Sequence, residues 1–305
     1  MRIFVCAAFA VFLSLASSLC DESPVVFAEY NIQNWLIMER SEGKQKQLAP
    51  KSEASKAAVV ASIQAINPDI LGVEEVGDTT QVEDFRKHLR DGGLEYPHME
   101  FVEGADKERH VLLLSKYPIA NRNSQSNVRF TLDGKPAHMQ RGILDVTVQI
   151  NDHYKLRLLG VHLKSRREVS GYDQALLRTQ EAHELHKYIE AILKAEPDTN
   201  LLLFGDFNDT KNQPTIKGIM GVRGSAASME DIFLHDSEGE RWTYYWAWED
   251  EYSRIDYLFF NRALKPEILF KKSGILRFPQ WFAASDHRPI YTTISPRDIP
   301  IKNRE

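Results

Sequence analysis

Five short apolar runs in this sequence each meet, at one end, a residue that can bind a metal ion or move a proton. Asn31 follows Phe27-Ala28-Glu29-Tyr30, and Glu75 lies just past Ile70-Leu71-Gly72-Val73. His162 closes Leu158-Leu159-Gly160-Val161, and Asp206 and Asn208 follow Leu201, Leu202, Leu203 and Phe204. Asp286 and His287 stand just before Pro289-Ile290-Tyr291. Apolar runs of this length bounded by polar residues read as strands buried on both faces. Such strands need covering layers on each side, and their ends are rigid supports from which polar side chains can line one cleft.

The rest of the chain supplies the covering layers. Residues 25–30, 69–76, 110–114, 142–150, 156–163, 200–204, 255–260 and 289–294 read as strands. Asn151-Asp152 makes a hairpin-like turn between two of them. Residues 53–66 carry Val59, Ile63 and Ile66 at helical spacing, and Asn67-Pro68 stops them. Residues 82–89 also read as helical. The clearest helix spans residues 172–193, with Ala182, Leu185, Ile189 and Ile192 on one face. Strands in adjacent pairs, as well as strands alternating with helices, imply mixed sheets in a layered α/β domain. Segments 41–52 and 209–229 read as surface loops, and no linker divides the chain.

The first twenty residues stand apart from this pattern. Met1 and Arg2 lead into an almost purely apolar stretch, followed by Ala16, Ser17 and Ser18 and then the acidic pair Asp21-Glu22. This is the anatomy of a secretory signal peptide. Export to the periplasm or the exterior is therefore expected, with residues 21–305 forming one domain. A lipid anchor on Cys20 is disfavoured by Leu19 before it. Both cysteines, Cys6 and Cys20, lie in this segment, so the processed chain is expected to hold neither a disulfide nor thiol chemistry. No later stretch is long and apolar enough for an integral membrane segment. The formal net charge of −5 does not advertise non-specific nucleic-acid binding, but leaves room for a local basic cleft.

Carboxylate and amide oxygens at strand ends are the ligand set of a hard divalent cation, Mg²⁺ above all, with Mn²⁺ or Ca²⁺ as alternatives. His183 and His186 only mimic a zinc motif, since the spacing needed places the histidines four apart; they read as helix surface.

The blocks Tyr30-Asn31-Ile32, Pro68-Asp69-Ile70-Leu71-Gly72-Val73-Glu74-Glu75-Val76, Gly160-Val161-His162-Leu163-Lys164-Ser165, Gly205-Asp206-Phe207-Asn208, Arg254-Ile255-Asp256-Tyr257 and Ser285-Asp286-His287-Arg288-Pro289 occur in this order. Together they resemble the endonuclease/exonuclease/phosphatase superfamily over nearly all of the chain after the leader. The resemblance implies a four-layered α/β sandwich, two mixed sheets face to face with helices outside. It implies a metal-dependent phosphoester hydrolase acting on a phosphate ester, possible substrates including nucleic acid. It further implies Glu75 as principal metal ligand with Asn31 and Asp286. Asp206 would orient or deprotonate the attacking water, Asn208 would hold the phosphate, and His287, held by Asp256, would contact a phosphate oxygen.

The block at His162 resembles that of deoxyribonuclease I, sphingomyelinases and phosphatases rather than base-excision endonucleases. Lys107-Glu108-Arg109 resembles a deoxyribonuclease I segment whose glutamate pairs with the catalytic histidine. Glu108 is therefore expected to partner His162, the alternative being a solvated charge cluster. Lys164, Arg166 and Arg167 are candidates to bind substrate phosphates or to be solvated. Arg141 either points into the cleft or makes a structural ion pair. The aromatic run 242–248 stacks bases, meets lipid or, as preferred, packs internally. Lys44, Lys46 and Lys51 form either a phosphate-contacting arm or, as preferred, a solvated loop. Phosphodiester hydrolysis is the favoured activity, ahead of a phospholipid phosphodiesterase or phosphomonoesterase, and well ahead of a silent binding protein.

Overall fold

The structure, a computed structural model, describes residues 23–42, 45–167 and 173–299. The expected signal peptide with Cys6 and Cys20, Lys44, and Tyr172 at the start of the long helix lie outside the described residues.

Twelve strands build two sheets. In chain order they are β1 (Val25–Trp35), β2 (Ile70–Val76), β3 (His98–Val102), β4 (His110–Ser115), β5 (Ile119–Arg122), β6 (Leu144–Gln149), β7 (Lys155–His162), β8 (Leu201–Asp206), β9 (Glu230–Asp231), β10 (Asp256–Phe260), β11 (Gly274–Ile275) and β12 (Ile290–Ile294). The first sheet has the order β11-β12-β1-β2-β4-β3 and the second β9-β10-β8-β7-β6-β5. Each sheet has one parallel pair at its centre, β1 with β2 and β7 with β8, flanked by antiparallel pairs.

That scheme sends the functional residues to one rim. Parallel neighbours end on the same side, and an antiparallel neighbour begins there. Asn31 is level with Glu74, His162 with Asp206, and Asp206 with Asp256. Because Glu29 pairs with Ile290, the residues just before β12 come up beside Asn31.

The apolar runs are continuous because both faces of these strands are covered. On β8, Leu202 and Phe204 point between the sheets, where they meet Phe27, Ile70 and Leu113 of the first sheet and Leu158 and Leu258 of the second. Leu201 and Leu203 point outward against Ala182, Leu185, Ile189 and Ile192. These belong to the helix α3 (Gln174–Ala195), which lies beside the short α4 (Pro214–Met220). The first sheet is covered by α1 (Glu53–Ile66) and α2 (Thr79–Asp91), joined by α5 (Trp281–Ala284). Val59, Ile63, Val82, Phe85, Leu89 and Ala284 pack there on Leu71, Val73 and Leu112. The result is the expected four-layered sandwich.

Two glycines make the sheet-to-sheet contact possible. A β-carbon on Gly72 or Gly160 would come within 2.2 and 2.4 Å of the Phe204 ring. The freed space lets Phe204 lie 5.0 Å from Phe27 between ring centroids.

Some local expectations need correction. Segment 41–52 is not a plain loop, because Met38–Glu42 and Gln45–Ala49 pair as a hairpin. Segment 209–229 contains α4, which Pro214 opens. The long helix begins at Gln174, after the capping side chain of Asp173. Edge strands β3 and β5 escaped notice because they are mostly half-buried or exposed and lack an apolar run. Among the described residues no helix is long and apolar enough to cross a membrane.

Candidate active site

One oxygen organises the rim. Asp206 Oδ2 lies 3.1 Å from Asn31 Nδ2 and 3.2 Å from Asn208 Nδ2. It is also 3.4 Å from His162 Nε2 and 3.9 Å from His287 Nε2. Both sheets contribute, Asn31 from the first and Asp206 and His162 from the second. Gly205 brings the carboxylate into place. Its φ is +142°, and a β-carbon there would stand 1.9 Å from the Val161 carbonyl oxygen, so only glycine allows this approach of β8 to β7.

The backbone around the rim is unusual for side-chain-bearing residues. Gln33, Asn34, Glu75 and Asn208 all have positive φ, between 49° and 64°. The ladder shifts register between Asn31 and Trp35 and between Glu74 and Val76. Such irregularities re-aim side chains, and they persist where the surrounding structure enforces them. Here they leave the Asn34 N–H donating to Glu75 Oε2 at 2.9 Å. The Gln33 N–H donates to Asn31 Oδ1 at 3.0 Å.

The two histidines have opposite electrostatics. His287 Nδ1 is 3.0 Å from each oxygen of Asp256. Burial alone would lower its pKa, but the charge and hydrogen bond of Asp256, with Asp206 and Asp286 nearby, raise it well above the ordinary value. His287 is therefore an imidazolium. His162 is also buried, and burial lowers its pKa well below the ordinary value, helped by the charges of Arg141, His287, Arg109 and Lys164. Its Nδ1 has no hydrogen-bond partner among the described residues.

The expected pairing of Glu108 with His162 is thus not made. Asp106 accepts hydrogen bonds from the N–H groups of Glu108 and Arg109 and so shapes the turn. The Glu108 side chain is 67% exposed and accepts from Arg109 Nη1 at 2.9 Å. Arg109 reaches the rim instead, where its Nε donates to Asn34 Oδ1 at 2.9 Å.

Burial raises the Asp206 carboxyl to about 7, with the charge of Asp256 adding to it. Asp286 is also raised, first by burial and then, among the charges that raise it, by Glu75. A carboxylate whose pKa is held up by neighbouring negative charge suits a divalent cation, which removes the repulsion. Glu75, Asp286 and the Asn31 amide, the ligands implied by the resemblance, offer oxygen donors, the chemistry that suits a hard divalent cation, and Glu75 is near enough to Asp286 to raise its pKa. A second set is tighter. Atoms of Asp206, Asp256 and His287, all buried, lie within 4.8 Å of one another and can hold a metal ion. An ion there competes with the proton that His287 shares with Asp256, so the oxygen set is the better fit.

The flanking cations divide between the cleft and the scaffold. Lys164 is half-buried, its N–H donating to Glu181 Oε2 at 2.7 Å, and burial lowers its pKa, with Arg141 adding to the effect. Arg166 Nη2 pairs with Asp209 at 3.1 Å and its Nε donates to the Asn208 carbonyl at 3.3 Å. It is therefore tied to the rim rather than freely solvated, while Arg167 is exposed. Of the two expectations for Arg141, the structural ion pair is the one formed. Arg141 pairs with Asp106 at 2.8 Å and sits close enough to lower the His162 pKa.

Lys51 corrects the loop reading. Lys46 is exposed and paired with Glu39, but Lys51 is 4% exposed and donates to the Gln33 carbonyl at 3.1 Å. Burial lowers its ammonium to about 8 although Asp286 and Glu75 pull the other way. Nothing in the local sequence marks it. It lies just ahead of Ser52, the cap of α1, and the fold alone turns it into the rim.

Two hydroxyls that sequence reasoning passed over fasten the His287 side. Ser285 Oγ donates to the Asn31 carbonyl at 2.7 Å and accepts from the His287 N–H at 3.0 Å. Thr243 Oγ1 accepts from the N–H groups of Ile255 and Asp256. Trp242 packs as preferred, with the Arg288 guanidinium 3.5 Å above its ring. Trp246 and Trp248 do not, being 46% and 86% exposed. His183 is exposed as expected. His186 is half-buried and bonded to the Ile219 carbonyl, so the pair forms no metal site.

A four-layered α/β sandwich with carboxylates, asparagines and two histidines on one rim is the frame of a class of phosphoester-cleaving proteins. The chain belongs to the Endonuclease/Exonuclease/phosphatase family, whose model matches residues 43–287. Comparison with curated proteins finds no match. The fold is shared with the endonuclease/exonuclease/phosphatase from Bacteroides vulgatus, at 17% identity and a TM-score of 0.60, covering 90% of this chain and 100% of that one. It is shared with D. rerio TDP2 complexed with single strand DNA product, at 16% identity and a TM-score of 0.58, covering 89% and 98%. Staphylococcus aureus beta toxin follows at 15% identity and a TM-score of 0.59, covering 88% and 99%.

Proposed function

We propose that this protein is an exported, divalent-metal-dependent phosphodiesterase with a nuclease-like site. The convergence of Asn31, Asn208, His162 and His287 on Asp206 Oδ2 carries the proposal. It places one carboxylate, raised to about 7, among donors suited to a phosphate. Export rests on the leader at residues 1–20 and the single domain on the unbroken sandwich.

Glu75 and Asp286, with Asn31, hold the cation, Mg²⁺ or a similar hard ion. When bound, it neutralises charge on the non-bridging and leaving oxygens. Asp206 accepts a proton from the attacking water, for which a pKa near the working pH is well suited. Asn208 donates to a phosphate oxygen. His287, an imidazolium held by Asp256, donates from Nε2 to charge that grows in the transition state. His162, neutral and buried, steadies Asp206 from its other side. Lys164 and Arg166 line the approach of an anionic substrate.

Turnover of bis(p-nitrophenyl) phosphate and of p-nitrophenyl phosphate tests this. The diester is hydrolysed in Mg²⁺, the monoester far more slowly, and neither in EDTA or by Asp206→Ala. Preference for the monoester, or full activity in EDTA, contradicts it.

A further inference from the structure

The strands Tyr244–Trp246 and Glu251–Ser253 form a hairpin beside His287. The Tyr244 ring lies 4.8 Å from the His287 ring. The Tyr245 N–H donates to the Asp286 carbonyl at 2.9 Å. Thr243, at the foot of the hairpin, bonds to the backbone of Asp256. The hairpin is thus fixed to the segments that carry the His287–Asp256 pair.

Its rings occupy two faces, because side chains alternate along each strand. Tyr245 stacks on Tyr252 with centroids 4.4 Å apart, and Phe282 of α5 stands 5.7 Å from Tyr245. The outer members are not used up in packing, since Trp246, Trp248, Tyr252 and Phe282 are 46%, 86%, 50% and 55% exposed. Trp246 shares a face of the hairpin with Tyr244, which lies beside His287, opposite the Tyr245–Tyr252 stack, and such an exposed aromatic cluster marks a ligand surface. On the opposite flank of the rim stand Arg109, Arg141 and Lys164 around His162. A phosphodiester bound between these flanks meets cations on one side and π faces on the other.

Charge selects the occupant. The turn of the hairpin reads Glu249-Asp250-Glu251 directly after Trp248. Three acids beside the most exposed tryptophan oppose entry into acyl chains and approach to anionic headgroups. They equally repel the second backbone of a duplex. An unpaired strand avoids both conflicts: its phosphates follow the cationic flank, and a free base offers a π face that a paired base keeps inside its helix.

Resting on the phosphodiesterase reading, we propose that this hairpin is a base-stacking surface, with Trp246 and Trp248 as its outer platform, that selects unpaired nucleic-acid strands. The test compares an oligothymidylate, an abasic strand of equal length, a duplex and phosphatidylcholine vesicles in Mg²⁺, using the full chain and Trp246→Ala and Trp248→Ala. Quenching of tryptophan fluorescence by the oligothymidylate in EDTA reports binding without turnover. The wild type is expected to prefer the oligothymidylate over the abasic strand by roughly five- to a hundredfold in kcat/KM, carried by KM. In the variants that ratio collapses toward one. Equal rates on both strands in the wild type, an undiminished ratio in the variants, or tryptophan-dependent turnover of vesicles alone overturns the proposal. Quenching without turnover of any diester sinks the phosphodiesterase reading but supports the stacking surface. Turnover of diesters without quenching or base preference does the reverse.

Discussion

His162 Nε2 stands 3.4 Å from Asp206 Oδ2, yet the His162 ring is neutral while its counterpart His287 is charged. The difference lies in what each Nδ1 meets. For His287 it is the Asp256 carboxylate, and for His162 nothing among the described residues. One rim therefore holds a proton donor and a neutral imidazole on either side of one carboxylate.

Histidine NMR titration checks this directly. The His287 ring is expected to stay protonated well above pH 6.5, and His162 to stay neutral well below it. Asp256→Asn should bring the His287 pKa down and slow diester hydrolysis by about 10²–10⁴-fold. Two histidines titrating together near 6.5 would contradict the assignment.

Asp206 sets an acid limb. At low Mg²⁺, kcat/KM should rise with unit slope around pH 7, where Asp206 loses its proton. Higher Mg²⁺ should move the limb to lower pH, because a cation held by Glu75 and Asp286 offsets the negative charge that raises the Asp206 carboxyl. A rate independent of pH from 5.5 to 8.5 would remove Asp206 from the base's role.

Directly beneath the rim, Glu29 and Glu74 are buried between the sheets, and neither accepts a hydrogen bond from a donor among the described residues. Burial raises both well above the ordinary carboxylate range, and each faces the other. Protonated carboxyls are the state the site favours. The folded protein thus holds more protons than the unfolded chain above about pH 4.3, so stability falls as pH rises from there. In EDTA the melting temperature should fall between pH 5 and 8. Glu74→Gln should flatten that fall and stabilise the protein by about 1–3 kcal/mol at pH 8. Destabilisation at pH 8 would show that both carboxylates are needed ionised.

Asp236 anchors the segment carrying His287. It accepts from Arg288 Nη1 at 2.9 Å and from Arg277 Nη1 at 3.0 Å, with both Asp236 and Arg288 buried. Burial alone would raise its pKa, but backbone N–H groups and Arg288 hold it down to about 2. Its contribution is present above the unfolded value near 3.9 and is lost as pH falls toward 2. Asp236→Ala should cost about 3–5 kcal/mol in urea unfolding, since it strands a buried guanidinium. A cost below about 1 kcal/mol would mean that Arg288 finds other partners.

Much of this was legible beforehand because the informative residues sit at the ends of apolar runs. Asn31, His162, Asp206, Asp256 and His287 fall on one rim for a local reason, strand direction and length. Glu108 failed because the turn set by Asp106, a matter of two backbone hydrogen bonds, decides which way its side chain faces. Lys51 and Arg109 reach the rim from segments with no periodicity to reveal them. The Glu29–Glu74 pair was invisible for another reason: alternation along β1 and β2 places both on the inner face of the first sheet, and only the parallel pairing, with Glu29 level with Gly72 and Asn31 with Glu74, brings them together.

The most direct measurement is cleavage of circular single-stranded DNA by residues 21–305 in Mg²⁺, with Asp206→Ala and Glu75→Ala alongside and EDTA as control. Linear strands are expected from the wild type in Mg²⁺ alone, and none from either variant or in EDTA. Intact circles with folded wild-type protein and bound Mg²⁺ would contradict a nuclease-like site.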